Sequence, residues 1–185
     1  MLLPEKYKWL EDLGTLPKLV TMGLQYLGVH EIPGEKSNPV ILDMAKGLGL
    51  QHIYSNDDTE WCALFINHLI RLTQKPMVDT KGDRWNLLRA RWLLHWGHPV
   101  APGDERLGDL AIFERGNGAG HVFINIAQTP LTYMGLGGNQ SNQVSFAEIN
   151  KLRLLGMRRF YATQMPQSAR IIHINSSGKI STDET

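Results

Sequence analysis

Cys62 is the only thiol in this chain of 185 residues, and it stands in EWCALFIN at the start of an apolar helical stripe. A thiol in that position can fill a core as a small apolar side chain, or it can attack an acyl carbon. The first turn of a helix favours attack, because its unpaired amides and the helix dipole stabilise a thiolate. The preceding YSNDDTEW is polar, as a cleft floor would be. Asp57, Asp58 and Glu60 would oppose ionisation if they faced the sulfur; the alternative is that they cap the helix and point away.

A thiol nucleophile needs a base, and the base needs a group that fixes its tautomer. GHVFINIA (120–127) and LTYMGLGGN (131–139) read as strands joined by QTPL. Symmetry about Pro130 sets His121 opposite Asn139, and cross-strand neighbours have Cβ atoms about 4.5–5.5 Å apart. Gly135, Gly137 and Gly138 thin the second strand. Such glycines mark the close approach of another element, here the Cys62 helix or a substrate, or else a plain glycine-rich turn.

Other chemistries find less support. His95 and His98 are separated by Gly97, and Pro99 follows them. No HExxH pattern or second Cys/His cluster exists, so no metal site is expected. There is no GxSxG elbow for Ser55, Ser141 or Ser145, and GNGAG (116–120) lacks the lysine of a phosphate loop. No cofactor is expected.

The elements that must position these residues follow from periodicity. Helical spacing covers 5–13, 16–28, a short run after Pro39 to Gly47, about 60–73, and 86–96 with Trp85, Trp92 and Trp96 nearby. Asp57, Asp58 and Thr59 are candidate N-caps for the cysteine helix. EIPGEKSNP (31–39) reads as loop. Strand character covers 107–115, 120–127, 131–139 and 154–161, with 170–175 as a further edge strand. Helices followed by antiparallel strands predict an α+β fold. Residues 1–163 are expected to form one catalytic domain, with 164–185 an extension whose last ten residues are disordered.

The net charge of +1 gives no case for nucleic acid. Arg153, Arg158, Arg159 and Arg170 read as a solvated basic face. No run is long and apolar enough to span a membrane, and MLLPEKYKWLED does not read as a signal peptide. The expectation is synthesis in the cytoplasm and a monomer.

With these residues in hand, the chain resembles the CHAP family (cysteine, histidine-dependent amidohydrolases and peptidases) among the papain-like NlpC-type hydrolases. The likeness runs in ordered pieces over about 30–160. HEIPGEKSNPVIL, NDDTEWCALFIN, ARWLLHWG, LGDLAIFERG, GHVFINI and LGGNQSNQVS are similar to successive segments of a phage and prophage branch. The resemblance implies a papain-like fold with helices packed on the sheet, Cys62 as nucleophile, His121 as base and Asn139 as its orienting group. Relatives often carry a carboxylate there, whereas this chain reads Gly137-Gly138-Asn139-Gln140, so Gln140 is the alternative. It also implies Asn56 and the Cys62 amide as oxyanion donors. Peptidoglycan is the implied substrate, cut as an amide in or beside the stem peptide, with release or delivery to the wall. A protein-directed deamidase or protease and a non-catalytic wall-binding module are the alternatives.

Overall fold

Pro39 begins a helix where its missing amide is harmless, and the Asn38 side chain accepts a hydrogen bond from Val40 N at 2.9 Å. This is α2 (Pro39–Gly47), preceded by α1 (Lys18–Leu24) and followed by α3 (Cys62–Leu72). The computed structural model describes residues 3–34, 36–161 and 164–174. Its fold is α+β, with three short α-helices and one six-stranded antiparallel sheet among the described residues. None of the described helices is long and apolar enough to cross a membrane.

α3 is buried on all sides from Cys62 to Ile70, not on one stripe. Its polar members are bonded on one side: Asn67 Nδ2 donates to Ala63 O and Leu87 O at 3.0 and 2.9 Å and His68 Nε2 meets Tyr26 Oη at 2.7 Å, while Asn67 Oδ1 and His68 Nδ1 have no hydrogen-bond partner among the described residues. The helix begins later than its periodicity suggests. Trp61 holds the N-cap position and no side chain caps the helix. Asp57, a candidate cap, is buried and accepts from the Ile32 and Asn38 amides at 3.1 and 2.7 Å. Two part-buried loop amides without partners would cost more than one uncapped helix end beside a cleft.

The helices expected at 5–13 and 86–96 are 3-10 segments instead, Glu5–Leu13, then Arg84–Leu88 and Ala90–His95 broken at an extended Arg89. The strands are β1 (His98–Pro99), β2 (Leu110–Glu114), β3 (Gly120–Gln128), β4 (Thr132–Gly137), β5 (Ser145–Asn150) and β6 (Leu154–Arg159). They lie in the order β1-β6-β2-β3-β4-β5. Val122, Ile124 and Ile126 join the core that contains α1, α2 and α3, while Phe123 packs with Phe113, Tyr133 and Met157 on the other face.

The sequence reading lacked β5. Its Ala147 and Glu148 have little strand preference, and pairing with β4 imposes the conformation. Glu148 is buried there against Lys6 Nζ at 3.2 Å and the Thr132 hydroxyl at 2.6 Å. The basic residues expected on a solvated face do other work. Arg159 is part-buried and bridges Asp104 and Asp109, and Arg153 donates to Glu114 O. Residues 164–174 return to the sheet, where Gln128 pairs with His173 in a single parallel bridge in place of the expected edge strand. The expected disordered tail, 176–185, lies outside the described residues.

Candidate active site

The site begins where a strand stops. In β3 the Asn125 amide donates to Asp109 O on the β2 side, so the alternation of an antiparallel ladder turns the Val122 amide toward β4. β4 ends at Gly137, before it can meet that amide. The sulfur of Cys62 lies close enough to the backbone amides of Val122 and Ala63 for both to favour its thiolate. The nucleophile candidate thus sits at the uncapped start of α3, beside the residue that follows His121.

The glycines make this approach possible. A Cβ on Gly138 would lie 2.7 Å from both Phe65 Cβ and the Trp61 ring. The close neighbour is therefore the Cys62 helix, one of the two approaching elements that the glycine pattern left open. Trp61 is anchored from behind, its indole N–H donating to Glu31 Oε1 at 2.7 Å.

Burial raises the Cys62 thiol to about 11, with the nearby Glu60 carboxylate adding to the rise. Arg115 opposes it and is paired to Glu60 at 2.8 Å. At neutral pH the resting group is a thiol, so attack requires a base to remove its proton during the reaction. Alkylation by iodoacetamide should accordingly accelerate with pH from 7 to 10, with no plateau in the acid range. Removing the carboxylate in Glu60→Gln lowers the thiol pKa and should speed alkylation at pH 8 roughly threefold. A rate already maximal at pH 6 would show a preformed thiolate and contradict this.

His121 is fully buried, and its Nε2 lies 3.1 Å from Gln140 Oε1. The Gln140 amide is itself oriented: its Nε2 donates to the carbonyl of Ser145, which can only accept. Its oxygen must then face the imidazole, so His121 donates from Nε2, and the neutral form of the ring carries its lone pair on Nδ1. The loop is stiffened further by Gln140 N to Gln143 O at 2.9 Å and by Ser145 Oγ to Gln140 O at 3.0 Å.

The register expected from Pro130 holds at Ile124↔Leu136 and Asn125↔Gly135. It does not extend to His121 and Asn139. Asn139 lies beyond the end of β4 with φ of 56°, and His121 pairs with Phe113 of β2. Between the two residues considered for orienting the base, the hydrogen bond to the ring comes from Gln140. Asn139 is buried without that contact, and its Oδ1 has no hydrogen-bond partner. Asn56 is exposed and its Oδ1 accepts from the Thr59 hydroxyl at 2.9 Å.

Cys62 opens onto a cleft of about 440 Å³, whose walls include Glu60, Arg89, Arg91, Trp92 and Gly120. This is within the range of ligand sites, roughly 300–1,000 Å³. Of the three tryptophans noted in the sequence, Trp92 lines this cleft, Trp96 is buried, and Trp85 is exposed. Compared with known proteins, the chain matches no protein-family model and no curated sequence.

Proposed function

We propose that this protein is a cysteine hydrolase of the CHAP type with a papain-like helix-on-sheet architecture, and that it cleaves an amide bond of peptidoglycan. The observation that carries the reading is the conjunction at the end of β4. A lone thiol at an uncapped helix start lies beside the residue following a buried histidine, and Gln140 fixes that histidine's tautomer.

The chemistry is acyl transfer to water. His121 Nδ1 removes the Cys62 proton as sulfur attacks the amide carbon. The carbonyl oxygen becomes an oxyanion, for which the Cys62 amide at the start of α3 is the nearest fixed dipole. Asn56 would add its Nδ2 as a second donor, since the atom that meets the Thr59 hydroxyl is its Oδ1. The imidazolium then protonates the departing amine, leaving a thioester that water cleaves with His121 again acting as base. Gln140 positions the ring throughout. Gln140→Ala should lower turnover roughly 10- to 100-fold with KM little changed, whereas Asn139→Ala should have a much smaller effect. Steady-state kinetics separate the two, and the reverse ranking would reassign the orienting role to Asn139.

In this reading the enzyme reaches the wall after release or delivery, and uses the surface of its own catalytic domain for targeting. The test is digestion of purified peptidoglycan, following turbidity and newly exposed amino groups, with Cys62→Ala in parallel. Release by the parent protein alone supports the proposal, and the fragments identify the bond. Equal release by both removes Cys62 from the chemistry. Failure of the parent on every wall type, with cleavage or deamidation of a protein amide instead, would replace the substrate class.

A further inference from the structure

The cleft that contains Cys62 carries an imbalance of charge. Arg89 and Arg91 both line it, and Glu60 is the only carboxylate among the described residues that do. The acidic partners of the two arginines, Asp83 and Glu114, lie outside the lining. Glu60 in turn is matched by Arg115 at 2.8 Å. The two remaining guanidinium groups are part-exposed beside the thiol, with 58% and 38% of the side chains open for Arg89 and Arg91.

Arg91 is also held in place before any ligand arrives. Its Nε donates to Ala119 O at 3.1 Å, and its Nη2 lies 3.3 Å from Glu114 Oε1. A Cβ on Gly120 would come 2.8 Å from Arg91 Cγ, so the glycine before His121 is what lets this arginine lie against the start of β3. A guanidinium fixed along one edge keeps donors for a planar anion, and a carboxylate matches its fork.

We infer that Arg91, with Arg89 beside it, forms a carboxylate-binding subsite in the Cys62 cleft, so that the preferred substrate is an acyl peptide bearing a free carboxylate close to the scissile amide. This deepens the proposed function and rests on that reading for the identity of the reaction. It would distinguish stem peptides with a free α-carboxylate on their γ-linked glutamate from those in which that group is amidated.

The test uses the full chain with Cys62→Ala and two synthetic peptides, L-Ala–γ-D-Glu–L-Lys–D-Ala amide and its counterpart with the glutamate α-carboxylate amidated. Calorimetric titration should find the free carboxylate bound about tenfold more tightly, a preference weakened by added salt. Arg91→Gln should reduce that preference severalfold, and Arg89→Gln with Arg91→Gln together should abolish it. An arginine that merely clips the turn at Ala119 would weaken both peptides alike and leave the ratio intact, which would overturn the inference. Equal affinities in the parent, or no binding of either peptide at millimolar concentration, would also overturn it. Hydrolysis of both peptides at equal rates by the intact enzyme removes the subsite and leaves the hydrolase. A retained binding preference with no hydrolysis of purified peptidoglycan by the parent protein removes the hydrolase and leaves the subsite.

Discussion

Replacing His121 with glutamine should reduce peptidoglycan cleavage at pH 7 by about 10³- to 10⁴-fold. The size follows from the state of the nucleophile. With the Cys62 thiol raised to about 11, only roughly one part in 10⁴ is ionised at neutral pH without a base to assist. The residual activity should carry a signature of its own. It should rise close to tenfold per pH unit up to about pH 10, because hydroxide replaces the imidazole, while the parent protein follows a flatter profile. Glutamine keeps most of the volume at a fully buried position, and a thermal melt would confirm that the fold survives. A loss of less than tenfold, or an unchanged pH profile, would show that His121 is not the base.

The largest effect on stability is expected one strand away. A Cβ at Gly135 would fall 1.9–2.4 Å from three atoms of the Phe123 ring. That ring is fully buried and packs against Phe113 with centroids 4.8 Å apart, so it has no free space to enter. Gly135→Ala should cost about 3 kcal/mol or more by chemical denaturation. The same change made with Phe123→Leu should cost distinctly less than the two single changes added together, because the smaller side chain makes room for the methyl group. Additive losses would mean that strand β4 moves and the ring does not. His121 shares the Phe123 face, with ring centroids 6.3 Å apart, so Gly135→Ala should also disturb its imidazole.

Much of this arrangement was legible in the sequence because it depends on local pattern. The apolar spacing of CALFINHLI located α3, and the alternation in GHVFINIA located the histidine strand. The symmetric turn at Pro130 gave the correct register at Ile124 and Asn125, while a bulge between Asn125 and Ala127 shifts the pairs nearer the turn, Ala127↔Met134 and Gln128↔Tyr133, by one residue. What failed was extrapolation past the end of the ladder. Asn139, Ser141 and Asn142 all adopt positive φ, so the chain leaves the sheet after Gly137 and Gln140 reaches back to the imidazole. The run GGNQSN carried a turn signal in its Gly, Asn and Ser content, and that signal outweighs strand periodicity.

The start of α3 was misjudged for a different reason. Asp57 has the spacing of a cap, but its carboxylate is needed by two amides of the segment containing Ile32 and Asn38, a tertiary demand that no local pattern reveals. The cleft arginines were equally invisible. Arg89 and Arg91 lie in a segment expected to be a regular helix, and only its division into two 3-10 pieces brings both to the wall beside Cys62. Burial of α3 on every side is likewise a product of the whole fold, since Asn67 and His68 give its outer face a polar appearance in sequence.

The most direct test of covalent chemistry at Cys62 is acid quenching during turnover of a soluble peptidoglycan fragment, followed by mass analysis of the proteolytic peptide that contains this cysteine. A stem-peptide acyl group on Cys62, released by hydroxylamine and absent when Cys62→Ala is treated in the same way, is the predicted result. An unmodified Cys62 peptide throughout turnover, together with undiminished cleavage by Cys62→Ala, would contradict it.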